Sequence, residues 1–167
     1  MKAEKVIEIH DLLNHFNIEI IIDGGWAVDA LLEEQTRPHD DLDIAVSHHH
    51  VQQLRSVLFE HGFTDLPRPD TTDYNFVLTD NEGNKIDVHS CLFDEAGNNI
   101  YGIAYPTMDC FSGIGTINGC TVKCITPHWL VKFHTGYEVD EMDYHDVKHL
   151  CKKFDIELPQ DYQEFLD

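Results

Sequence analysis

Val6, Ile9, Leu13 and Phe16 recur at three- and four-residue steps, which predicts an amphipathic helix over Lys2–Phe16. Ile18–Ile22 is a short apolar run rich in isoleucine and reads as a buried strand. Asp23-Gly24-Gly25 breaks it, and Trp26–Glu34 resumes a helical composition. Leu42, Ile44 and Val46 alternate with Asp41, Asp43 and Ala45, a period of two that predicts a strand with one apolar face. Ser47 is placed to cap a helix from about His48 to His61, with Val51, Leu54, Val57 and Leu58 inward.

Tyr74–Thr79 and Lys85–Cys91 are strand candidates joined by the turn-forming Asp80–Asn84, hence a hairpin. Asp94–Asn99 is a second turn-rich stretch. Ile114–Ile117 and Cys120–Ile125 flank Asn118-Gly119, a strong hairpin signal. Thr126-Pro127 opens a helix expected to reach about Thr135, where Gly136 ends it. Asp143–Phe154 reads as a further helix and Pro159–Leu166 as a short terminal one. The order predicts an α+β fold: a mixed sheet flanked by helices, with a core over residues 1–125 and a C-terminal helical segment, 126–167, packed on it.

The 167 residues carry 11 basic and 31 acidic side chains, a formal charge of −20. A field of that sign disfavours nucleic acid and anionic membranes as partners and favours cations, whether metal ions or amine-bearing molecules. No segment approaches the roughly 20 apolar residues of a membrane span, and the charged start is unlike a signal peptide. Five cysteines without a CxxC pair point to the reducing cytoplasm. Cys120 and Cys124 are expected as small buried hydrophobes, and His48-His49-His50 as a solvated first helical turn, because three successive helix positions diverge by about 100° each.

Asp41 and Asp43 lie two apart on a strand and so share a face, about 6.5–7 Å apart along the chain. Such a pair is either a solvated edge or a cation site. Asp87, between Ile86 and Val88 on another predicted strand, adds a third carboxylate if the strands are neighbours. Oxygen ligands of this kind suit Mg²⁺. Gly24-Gly25, between a strand and a helix, reads either as an ordinary tight turn or as a place where backbone closely approaches phosphate. Glu138, Asp140, Glu141, Asp143 and Asp146 crowd the start of the late helix, either as caps or as an anionic wall for an amine.

Asp23-Gly24-Gly25-Trp26, then Arg37-Pro38-His39-Asp40-Asp41-Leu42-Asp43, then Ile86-Asp87-Val88-His89 together resemble the nucleotidyltransferase superfamily. Within it the chain is similar to the small antibiotic nucleotidyltransferases that modify lincosamides and aminoglycosides. Phe133-His134-Thr135-Gly136-Tyr137 with His145-Asp146-Val147-Lys148 looks like the lincosamide branch; Asp40 before Asp41 is closer to the aminoglycoside relatives. The resemblance implies Mg²⁺-dependent transfer of a nucleoside monophosphate from an NTP, usually ATP, to a drug hydroxyl, releasing pyrophosphate. It implies Asp41 and Asp43 as metal ligands and Asp87 as ligand, general base or both. By the resemblance Gly24 and Gly25 match the phosphate turn, and Arg37 and Lys148 fall where basic residues contact the triphosphate, Lys148 being otherwise a solvated helix lysine. His89 shares the strand face of Asp87 and either orients that carboxylate or the acceptor, or is a structural histidine; Tyr137 and Glu138, from the aromatic and acidic residues themselves, are the acceptor-side candidates. Lincosamide is the favoured acceptor, ahead of an aminoglycoside, and the reading admits a homodimer. A protein acceptor, as in toxin–antitoxin nucleotidyltransferases, and a non-catalytic acidic binding module are the remaining alternatives.

Overall fold

The computed structural model describes residues 1–166. Its centre is an eight-stranded mixed sheet, ordered β3-β4-β5-β2-β1-β8-β7, with β6 paired to β5 outside that path. The strands are β1 (Ile20–Ile22), β2 (Asp41–Ser47), β3 (Thr64–Leu66), β4 (Asn75–Thr79), β5 (Lys85–Phe93), β6 (Asn99–Gly102), β7 (Gly113–Ile117) and β8 (Cys120–Cys124). The helices are α1 (Ala3–His15), α2 (Gly24–Leu32), α3 (Val51–Glu60), α4 (Pro127–Phe133) and α5 (Glu141–Phe154).

β2 runs antiparallel to β1 and parallel to β5. Its even positions, Leu42, Ile44 and Val46, are buried, as are Ile86 and Val88 of β5, so one face of these strands belongs to the core. The odd positions carry the carboxylates on the opposite face. Both expected hairpins form, β4–β5 and β7–β8. The tip of the second is Asn118 and Gly119, both at positive φ (49° and 81°), the geometry a two-residue hairpin turn requires.

Several details differ from the sequence expectation. α2 begins at Gly24 rather than Trp26, with Asp23 as its cap. Ser47 makes no side-chain cap; His48–His50 form a 3-10 turn before α3, and His48 is tied to the Ser90 hydroxyl at 2.8 Å rather than solvated. α4 ends at Phe133, two residues early. Cys124 is buried, whereas Cys120 is only partly so. β3, β6 and a 3-10 turn at Met108–Ser112 have no counterpart in the sequence pattern. No helix among the described residues is long and apolar enough to cross a membrane.

The C-terminal helices share the core: Leu130, Val131, Val147, Leu150 and Tyr162 are buried with the residues of the sheet. The side chain of Asp140 accepts from Met142 and Asp143, and Asp143 returns a bond to the Asp140 amide, a capping box that starts α5.

Candidate active site

Asp43 of β2 and Asp87 of β5 are direct register partners on adjacent parallel strands. Neighbouring strands lie about 4.8 Å apart, so the two side chains leave the same face side by side. Asp41 is one pleat away on that face. The end of β1 joins them: the Asp23 amide donates to the Asp43 carbonyl at 2.9 Å. The Asp23 carboxylate accepts from the Gly24 amide at 2.8 Å and from the Tyr105 hydroxyl at 2.7 Å.

The glycine turn is held open for side chains. Gly24 sits at φ +57°, and a Cβ there would stand 2.2 Å from an Asp43 carboxylate oxygen. A Cβ on Gly25 would meet the His39 ring at 2.5 Å and the Arg37 guanidinium at 2.6 Å. A side chain at either position would force these neighbours to shift, and at Gly24 the positive φ adds backbone strain to the close approach of the Asp43 carboxylate.

Crowded acids dominate the electrostatics. Burial, then the charges of Asp41, Asp23 and Asp87, push the Asp43 carboxyl up to about 8, with Arg68 opposing. A carboxylate cluster that suppresses its own ionisation has the chemistry of a hard divalent-cation site. As the side chains stand, no three His, Cys, Asp or Glu groups among the described residues converge closely enough to grip one ion. Asp87 is otherwise engaged: both its oxygens accept from Arg68, at 2.8 and 3.3 Å, and His89 Nε2 lies 3.5 Å away.

The other sequence candidates are distributed unevenly. Arg37 is beside the glycine turn, but its guanidinium forks onto Asp146 of α5 with contacts of 2.6, 2.9 and 3.1 Å. Asp146 is buried, and although burial alone would raise its pKa, the Arg37 hydrogen bonds hold it below the ordinary carboxylate value. His39 is buried and bonded to Asp29, packed on Trp26 with ring centroids 4.6 Å apart, so it positions the loop. Lys148 is exposed, its ammonium 5.1 Å from the Tyr144 ring, and is not joined to the carboxylates by an ion pair among the described residues. Tyr137 is exposed and donates to Asp143 at 2.8 Å; Glu138 is exposed beside it. Of the five clustered acids, Asp140 and Asp143 cap α5 and Asp146 pairs with Arg37, which leaves Glu138 and Glu141 to face solvent.

Arg68, Asp23 and Tyr105 are the participants the sequence reading missed in these roles. Pro67-Arg68-Pro69 was the available signal, an arginine held between prolines in a chain that has only Arg37, Arg55 and Arg68. A separate cavity of about 700 Å³ is lined by Ile21, Ala45, Cys91 and Phe111 among others, but by none of these carboxylates.

A profile of the aminoglycoside-2''-adenylyltransferase family matches residues 5–150. A lincosamide resistance protein of Staphylococcus haemolyticus is 28% identical over 159 residues, covering 90% of this chain and 98% of its own. The lincomycin-bound crystal structure of the lincosamide antibiotic adenylyltransferase LnuA superposes with a TM-score of 0.77 at 26% identity, over 90% of this chain and 96% of that one. ANT(2'')-Ia, crystallised with adenylyl-2''-tobramycin, shares the fold with a TM-score of 0.75 at 19% identity, over 91% and 88%. With the family profile spanning most of the chain and these folds superposing on its sheet and helices, the chain belongs to the aminoglycoside-2''-adenylyltransferase family and is an antibiotic nucleotidyltransferase.

Proposed function

We propose that the chain transfers a nucleoside monophosphate from ATP to a hydroxyl of a lincosamide-type antibiotic, in a Mg²⁺-dependent reaction that releases pyrophosphate. The observation that carries this reading is the pairing of Asp43 with Asp87 across β2 and β5, with Asp41 one pleat away and the Gly24 turn against Asp43. Asp41 and Asp43 hold the cation, and Asp87 is a ligand, the base for the acceptor hydroxyl, or both. Bound there, Mg²⁺ supplies charge neutralisation for the phosphates and polarises the phosphorus under attack.

The protein's own work is placement. Tyr105 and Asp23 fix the glycine turn; the start of α2 behind it offers backbone N–H groups and the positive end of a helix dipole to the triphosphate. Arg37, locked onto Asp146, adds a fixed positive charge beside that turn. Lys148, exposed and resting over the Tyr144 ring, is the second basic residue assigned to the triphosphate. His89, adjacent to Asp87, orients it or the acceptor, while Tyr137 and Glu138 border the acceptor's entry. The protein works in the cytoplasm, where ATP is available.

A second reading, an aminoglycoside acceptor, is favoured by the family profile, by Asp40-Asp41-Leu42-Asp43 and by the −20 charge. Incubation with ATP, Mg²⁺ and a panel of lincosamides and aminoglycosides, read by mass spectrometry, tests both. A gain of one AMP on lincomycin or clindamycin supports the first; adducts confined to aminoglycosides favour the second; no adduct on any member refutes antibiotic adenylylation.

A further inference from the structure

Arg68 belongs to the loop between β3 and β4, a segment fixed at its base rather than loose. The Arg68 amide donates to the Thr71 hydroxyl at 2.8 Å, the Thr71 amide returns a bond to the Arg68 carbonyl at 3.1 Å, and the Thr72 amide donates to Asn75 at 2.7 Å. Pro67 and Pro69 stiffen the backbone on either side. From this base the side chain crosses to β5 and grips both oxygens of Asp87. One of its other donors is poorly served: Nε is buried without a hydrogen-bond partner, with the Asp70 carboxylate 3.5 Å off and misaligned. The side chain retains 35% exposure, so it has room to turn.

A guanidinium fork fits phosphate as well as it fits carboxylate. A cation bound by Asp41 and Asp43 would draw on Asp87, the carboxylate beside them, and Arg68 now occupies both of that residue's oxygens. An orphaned N–H at the edge of the same site is a donor waiting for an anionic acceptor. We propose that Arg68 is a phosphate-binding residue that shares Asp87 with the divalent cation: it forks onto Asp87 in the chain alone, and turns to the nucleotide's phosphates, Nε–H included, as Asp87 engages the cation. The inference rests on the nucleotide-transfer reading of this site. Arg68 then couples cation and nucleotide, because each frees the partner the other needs. In the chain alone it lowers cation affinity; in the presence of the triphosphate that penalty disappears.

The test compares the full-length wild-type chain with Arg68→Gln, using Mn²⁺ titrations followed by electron paramagnetic resonance, without nucleotide and then with a non-hydrolysable ATP analogue. Thermal melting confirms folding; Arg68→Lys carries the same comparison should Arg68→Gln not fold, since an ammonium lacks the planar fork that makes two parallel bonds to Asp87. The expected result is about tenfold tighter Mn²⁺ binding by the variant without nucleotide. The KM for ATP should rise by a similar factor. Mn²⁺ affinity equal to or weaker than wild type overturns the sharing of Asp87, and an unchanged KM for ATP overturns the phosphate role. A wild-type chain that adenylylates nothing would instead refute the transferase reading, and the nucleotide-free Mn²⁺ comparison would still be read on its own.

Discussion

At the scale of single residues, Asp43 concentrates the site's tension. Burial and three neighbouring acids hold its carboxyl at about 8 in the folded chain, whereas in the unfolded chain it titrates near its ordinary 3.8. Between those values the folded state keeps a proton that the unfolded state has lost. Folding stability therefore falls as pH rises from about 4 to about 8 and levels above that. Asp146 contributes with the opposite sign, but only at more acidic pH, because its pKa is displaced below the ordinary value. Asp43→Asn removes the titration and keeps the shape. Its melting temperature should decline less than that of the wild type across this window, and its nucleotide transfer should be lost. Parallel melting curves for the two chains would show that Asp43 is not the strained acid, and retained transfer would remove it from the metal site.

At the scale of elements, what was readable depended on whether an element's reason to form is local. β2 was readable because apolar and acidic positions alternate within it, and the β7–β8 hairpin because Asn118-Gly119 suits the turn. β3 was not, since all three of its residues are exposed and only pairing with β4 holds them extended. β6 likewise exists through its pairing with β5. The same division runs through the site. Asp41, Asp43 and the glycines announce themselves by pattern, but Arg68 meets Asp87 across 19 positions and Arg37 meets Asp146 across 109. No periodicity encodes those pairs. The second one fastens the loop before β2 to α5, so it joins the glycine-turn side of the sheet to the C-terminal helices. Asp146→Ala leaves a guanidinium that is only 22% exposed without its partner. Breaking a fully buried pair costs about 3–5 kcal/mol; partial exposure of Arg37 places this one near 2–3 kcal/mol, measured by urea unfolding. A loss below about 0.5 kcal/mol would mean that the fork does not fasten α5.

At the scale of the whole molecule, the −20 charge is left almost entirely to solvent and substrate. The three arginines are each bound to an aspartate, Arg37 to Asp146, Arg55 to Asp65 and Arg68 to Asp87, so they temper particular acids without reversing the field. A field of this sign opposes the approach of a free triphosphate and favours one already carrying a divalent cation, which would tie nucleotide binding to metal binding beyond the contacts proposed at Asp41 and Asp43. The same field draws amine-bearing acceptors, in proportion to how many amines they carry. Screening then distinguishes the two acceptor classes without a structure of either complex. Raising salt from ~0.02 to ~0.3 M shortens the Debye length from about 20 Å to about 6 Å. The KM of an aminoglycoside with several amines should rise by about tenfold or more over that range, and that of a lincosamide with one amine only about two- to threefold, with kcat changing little in either case. Steady-state kinetics at four or five ionic strengths would measure both slopes. Equal slopes would mean that the acceptor is recognised by local contacts alone and that the surplus acid serves solubility rather than substrate capture.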